Sequence, residues 1–169
     1  MGEHAIQNLW RETQIKNVMA TNSESQKFGL RLSEEEAKVL VKEREQSLKE
    51  TRRIEFGGGI LEKLILVFCD SPFLLQENYA DTLVRLQSIF YLYKNESLDE
   101  LTDEELLEQM KEKFDGECQG DLDFLETTSL EAFARSIRSH THKFIGKYAK
   151  ETECWKLIQW RNCSRWLRS

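Results

Sequence analysis

The sequence predicts a mainly α-helical single domain, a bundle of about six helices. Three observations carry this. One proline stands among 169 residues, in a chain rich in strong helix formers. Apolar residues recur at three- and four-residue spacing, most clearly at Tyr79, Leu83, Leu86, Phe90 and Tyr93. Capping boxes, a Ser or Thr followed three residues later by Glu, stand at Ser33 with Glu36, Thr102 with Glu105 and Thr128 with Glu131.

In chain order, the first helix is expected from His4 to about Ala20, with Ile6, Leu9, Trp10 and Val18 at helical spacing and T-N-S-E-S as its break. F-G-L-R-L alternates as an extended approach to the helix that Ser33 caps, which runs to about Arg53. Glu34 with Lys38 and Glu45 with Lys49 describe its solvated face. Gly57, Gly58 and Gly59 interrupt the pattern, and the run from Ile60 to Cys69 is apolar nearly all round. It suits a buried central helix, with a short β-hairpin near 53–66 as the alternative. Pro72 in D-S-P marks a turn before the Tyr79 to Tyr93 seam. Leu101 and Leu106 staple the helix capped by Thr102, whose inner face is Leu106, Leu107, Met110 and Phe114, and Gly116 stops it. The box at Thr128 opens a helix with Leu130, Phe133, Ala134 and Ile137 inside. The expected core is Leu64, Leu66, Phe68, Leu83, Leu86, Phe90, Leu106, Met110, Leu130, Phe133 and Ile137.

Residues 1–169 are long enough for one domain that buries about 70% of its unfolded surface. The apolar run Ile60 to Cys69 carries two charges and is too short to span a bilayer. M-G-E-H-A-I-Q-N-L-W lacks a basic region followed by an apolar stretch, and Ile6 stands where myristoylation wants Ser or Thr, so a cytoplasmic protein is expected. The net charge of -6 is unevenly spread. Asn95 to Glu126 holds thirteen acidic residues against two lysines, a net of -11, whereas Thr127 to Ser169 has a net of +6. Such a split suits a partner surface or the docking of one segment on the other.

Four candidate sites are written in the residues. F-D-G-E-C-Q-G-D-L-D-F-L-E fits the EF-hand register with Asp115, Glu117, Gln119, Asp123 and Glu126 as ligands. Its long Glu, its uncharged Gln and the later helix cap at Thr128 favour a plain connector. His140, His142, Cys154 and Cys163 supply zinc-ligand types at a spacing that matches no common finger. Gly57, Gly58 and Gly59, with Arg52 and Arg53 beside them, offer a backbone nest for phosphate or another anion. They equally serve as a turn. The basic, Trp-rich segment 140–169 interleaves Trp155, Trp160 and Trp166 with Lys156, Arg161, Arg165 and Arg168. Guanidinium groups and flat aromatics stack on bases and meet phosphates. Alternatively, the tryptophans pack on the core and the arginines face the acidic segment Asp99 to Glu112.

I-E-F-G-G-G-I, F-C-D-S-P-F-L-L-Q-E-N-Y-A-D-T-L, F-Y-L-Y-K-N-E and C-Q-G-D-L-D-F-L resemble a bacterial family known only as a domain of unknown function, over about Phe28 to Arg138. The resemblance implies no activity, cofactor or catalytic residue. With no G-x-S-x-G or H-E-x-x-H arrangement, the sequence points to a non-catalytic cytoplasmic interaction module without a cofactor. Its partner is a protein or a second copy of itself. The alternatives are nucleic-acid binding through the C-terminal segment and anion binding at the triple glycine.

Overall fold

The computed structural model describes residues 2–56 and 59–139. Among them the chain is helical without a strand. The helices are α1 (Gly2–Ala20), α2 (Asn22–Ser25), α3 (Glu34–Thr51), α4 (Leu61–Phe68), α5 (Tyr79–Glu96), α6 (Asp103–Asp115) and α7, which starts at Leu122–Phe124. A π-helical turn, Leu125–Ser129, carries α7 onward through residues 130–139.

Local chemistry explains the connections. T-N-S-E-S is not a break but one more helical turn, α2, followed by a 3-10 turn that Gly29 closes at φ 78°. The extended stretch beyond it alternates as expected, Leu30 and Leu32 buried and Arg31 exposed. With no neighbouring strand, its backbone groups turn to side-chain amides. Asn22 donates to Leu32 O at 2.9 Å and accepts from Leu32 N at 2.8 Å. Gln76 repeats the device with Arg31, both bonds at 2.8 Å. The Asn22 bonds satisfy buried groups that would cost about 1–3 kcal/mol each if left unpaired.

Both capping boxes on α3 and α6 form with reciprocal bonds. The one expected at Thr128 does not. Asp121 caps the helix instead, accepting from Phe124 N at 2.9 Å, and the chain passes through Thr128 already helical. The π turn is fixed from outside: the Tyr93 hydroxyl of α5 donates to the Glu126 carbonyl. A carbonyl released from the regular ladder thereby finds its donor.

The helix α5 runs through the middle. It lies parallel to α3, since Asn95 bonds Thr51 O at one end while Gln76 bonds Arg31 at the other. The helix α1 lies antiparallel to α3, and Arg11 of the first pairs bidentately with Glu45 of the second at 3.0 and 2.8 Å. The Ile60 to Cys69 run is helical, not a hairpin, and its inner stripe is Leu61, Leu64, Ile65 and Phe68. Leu66 lies on the opposite side at 46% exposure, which corrects its expected place in the core. Phe133 and Ile137 are half-buried, and the other expected core residues are covered. Phe114 meets Phe68 and Phe73 edge-on at centroid distances of 5.6 and 6.2 Å.

Two measurements test this packing. In urea unfolding, Phe114→Ala loses about 3–5 kcal/mol, whereas Leu66→Ala stays within about 0.5 kcal/mol of the parent. Alkaline titration reads the buried phenols, because burial raises Tyr79 and Tyr93 to about 12. The folded state favours the neutral phenol, so this stabilisation is complete below the unfolded value of about 10 and disappears as pH rises from there to about 12. Tyrosinate absorbance and loss of helical circular dichroism are therefore expected to rise together across that window.

Candidate functional site

Past α3 the chain makes a left-handed turn at Arg52, φ 54°, and Arg53 N returns to Leu48 O at 2.9 Å in a Schellman-type ending. Residues 53–56 then run out without a ladder partner, so their side chains alternate. Ile54 and Phe56 stand 82% and 92% exposed, among the most exposed large apolar groups of the described chain, and Glu55 between them turns inward.

What Glu55 meets is the unusual feature. Its Oε2 accepts from Arg44 Nε at 2.9 Å and from the Tyr91 hydroxyl at 2.7 Å, and lies 2.8 Å from Arg44 Nη2. Arg44 sits mid-way along α3 on its inner face and is wholly buried. The Trp10 ring of α1 closes the other side, 5.1 Å from Arg44 Cζ. One charged residue thus joins α1, α3, α5 and the loop. Burial and the Glu55 charge push the Tyr91 phenol well above its ordinary range, which keeps it a donor.

Gly59 completes the geometry. It adopts φ 62°, and a Cβ there would overlap the Glu55 carboxylate and the Arg44 guanidinium. Glycine is required twice over, for the backbone angle and for the space. A cleft of about 500 Å³ opens beside it, lined by Arg53, Ile54, Phe56, Lys63, Phe90 and Asp103 among others.

The rim of this cleft is a lattice of opposed charges. Arg53 holds Asp99 at 2.6 Å and Asn95 at 2.7 Å, Lys63 meets Glu104, and the nearly buried Lys94 lies 2.9 Å from Asp103. The Arg53 hydrogen bond keeps the Asp99 carboxyl below its usual range, and Lys63 does the same for Glu104. Of the residues expected to hold an anion, Arg53 is engaged by these acids, Arg52 is exposed, and Gly59 abuts a carboxylate. Gly57 and Gly58 lie outside the described residues.

The five EF-hand positions do not converge on one point. Asp115 accepts from Ser71 at 2.5 Å and lies beside Lys111, while Glu117 takes Lys113 at 3.3 Å and the Ser129 hydroxyl. Asp123 and Glu126 both face Arg85, at 2.9 and 3.0 Å, and Gln119 occupies a left-handed turn at φ 49°. No group of three His, Cys, Asp or Glu side chains among the described residues converges as a metal site. His140, His142, Cys154 and Cys163, and the tail residues Trp155, Lys156, Trp160, Arg161, Arg165, Trp166 and Arg168, lie outside the described residues. No described helix is long and apolar enough to cross a membrane.

The knot has a direct energetic test. Glu55→Ala leaves Arg44 buried without its counter-charge and is expected to cost about 3–5 kcal/mol in urea unfolding. Replacing both, Arg44→Leu with Glu55→Leu, removes the stranded charge and recovers most or all of that loss. Equal destabilisation by the single and double variants contradicts the assignment.

Comparison with known proteins finds no match among curated proteins or solved structures. A family model does match, over residues 17–143, a span that takes in Arg44, Glu55, Gly59 and Tyr91 and leaves Trp10 outside. The chain belongs to that family, DUF6323, a family of unknown function.

Proposed function

We propose that the protein is a non-catalytic, cytoplasmic protein-interaction module that grips a partner with the Ile54 and Phe56 end of its bundle. The carrying observation is the loop itself: two large apolar side chains held in water while the residue between them is locked to a buried arginine. Such a loop has already lost its conformational freedom, so binding does not incur that cost again. Phe56 and Ile54 are the type of anchor that fills a pocket on a partner, and the paired charges of Arg53, Lys63 and Asp99 form a polar rim around them. Further apolar side chains stand exposed on α1, where Ile6, Leu9 and Trp10 are at 70%, 66% and 37%.

The ionisable groups support a binding role over proton chemistry. Hydrogen bonds from Arg53, Lys63, Thr102 and Ser129 hold Asp99, Glu104, Glu105 and Glu117 below their ordinary range. A general base or acid works best when tuned toward neutrality, the opposite direction for a carboxyl group. Burial raises the Cys69 and Cys118 thiols, which suppresses the reactive thiolate.

Full-length protein, an Ile54→Asp/Phe56→Asp variant and a remote control, Leu75→Asp, serve as parallel baits in quantitative affinity mass spectrometry. Partners are then purified and titrated calorimetrically. The double variant is expected to weaken binding at least tenfold, with the control and the melting temperatures little changed. Undiminished binding by the double variant overturns the proposal. So does a steeply salt-dependent affinity for RNA or DNA that ignores Ile54 and Phe56 and disappears on deletion after Ser139.

A further inference from the structure

We propose that residues 53–56 are an open strand edge, and that the partner of this end joins it as an added β-strand with apolar side chains on one face and Arg or Lys on the other. The inference rests on the Ile54 and Phe56 end being the interaction surface, and it names the chemistry of what binds there.

The backbone points to a strand. Residues 53–56 are extended, yet the amides and carbonyls of Ile54, Glu55 and Phe56 make no hydrogen bond among the described residues. No described segment forms a strand that could pair with them. The lock of Glu55 onto Arg44 and Tyr91 holds the segment in one conformation. Its row of donors and acceptors is therefore a fixed template, which an extended peptide completes by main-chain hydrogen bonds.

The space beside it suits the same occupant. The cleft of about 500 Å³ is lined by Arg53, Ile54, Glu55 and Phe56 in succession, so it follows the segment along its length. Four extended residues cover about 13 Å, and a peptide of that length fills one strand position alongside.

Side-chain chemistry then follows from the pairing. Residues opposite Ile54 and Phe56 share their outward face, where apolar cross-strand pairs are favoured. The residue opposite Glu55 points into the cleft, whose far wall holds Lys63, Lys94 and Asp103. Glu55 itself is neutralised by Arg44. In each ion pair at the rim the carboxylate is the more exposed member, most clearly Asp99 at 56% against Arg53 at 22%. Glu100 adds an exposed acid with no ion pair among the described residues. An incoming side chain therefore meets negative charge first, and Arg or Lys complements it.

The probe is the amidated peptide acetyl-Thr-Val-Arg-Val-Thr, titrated to about 10 mM into isotope-labelled full-length protein, a range that takes in weak binding. Amide shifts are expected at residues 53–56 and are expected to vanish in Ile54→Asp/Phe56→Asp. Exchanging the peptide's Arg for Glu is expected to weaken binding severalfold. Two N-methylated isomers separate strand pairing from apolar docking, because alternate amides of a strand point to opposite edges. Methylating both Val amides blocks one edge, and methylating the Arg amide blocks the other. One isomer is expected to lose about tenfold in affinity while the other keeps it. No binding at the highest concentration, or equal effects of the two methylations, overturns strand addition. If the aspartate pair still abolishes partner binding in that case, the interaction end stands without it. If neither probe nor partner senses that pair, both fall.

Discussion

A fully buried guanidinium is the constraint from which the organisation of this bundle follows. Arg44 occupies an inner position of α3, and burying its charge without compensation would cost several kcal/mol, a large share of a domain's margin of stability. Neutralisation requires a carboxylate, so Glu55 must turn inward. Glu55 can do so only if the chain leaves α3 through the left-handed turn at Arg52 and then extends. That extension points Ile54 and Phe56 at solvent, and the packing around the pair excludes any side chain at Gly59. Tyr91 and Trp10 complete the enclosure from α5 and α1. A pair of leucines in place of Arg44 and Glu55 would satisfy the core at similar or lower free energy. What apolar groups lack is direction: they tolerate sliding, whereas a shared carboxylate oxygen holds the loop to within a hydrogen-bond length. Some polar capacity is left over, since Arg44 Nη1 and both amide atoms of Gln87 find no protein partner among the described residues. The knot therefore specifies a geometry more than it adds net stability.

The acidic stretch from Asn95 to Glu126 obeys a second logic, compensation by nearby cations from other elements. Arg53 comes from the loop, Lys63 from α4, Lys94 and Arg85 from α5, and Arg138 from the last helix, each meeting one or two of its carboxylates. Most of these pairs are partly exposed to solvent, and each contributes little alone. Their collective effect is to fasten the start of α6 to the loop, because Asp99, Asp103 and Glu104 all face groups that border the same cleft. The remaining acids, chiefly on the outer side of α6, leave a local field that attracts positive charge.

Much of the fold was legible because its signals are local. The α5 seam needs only a period, and the boxes at Ser33 and Thr102 need only two residues each. The box at Thr128 misled for the same reason. Its residues fit the pattern, but Asp121 had already started the helix and the Tyr93 hydroxyl, thirty-three positions away in sequence, took the carbonyl that shapes the π turn. Leu66 misled because an apolar run longer than one stripe cannot reveal which side of it is covered. The candidate site depends wholly on contacts between distant residues. Glu55 sits eleven positions from Arg44 and thirty-six from Tyr91, and neither charge belongs to a recognisable motif. One clue was present: Ala37, Leu40, Val41 and Arg44 share the buried stripe of α3, and an arginine on an apolar stripe demands a counter-charge. The alternation of I-E-F, followed by glycines, marked where that counter-charge lay.

The buried charge also governs how Ile54 and Phe56 meet water. A loop that rearranged freely would relieve its own exposure by turning one of them inward. The Glu55 carboxylate, held by Arg44 and Tyr91, instead keeps the alternation of I-E-F in one register, with both apolar neighbours on the solvent side. Covering them from within would mean breaking the ion pair and stranding Arg44 in the core, at a cost of several kcal/mol. The exposure of the loop is therefore a consequence of the charge buried beneath it.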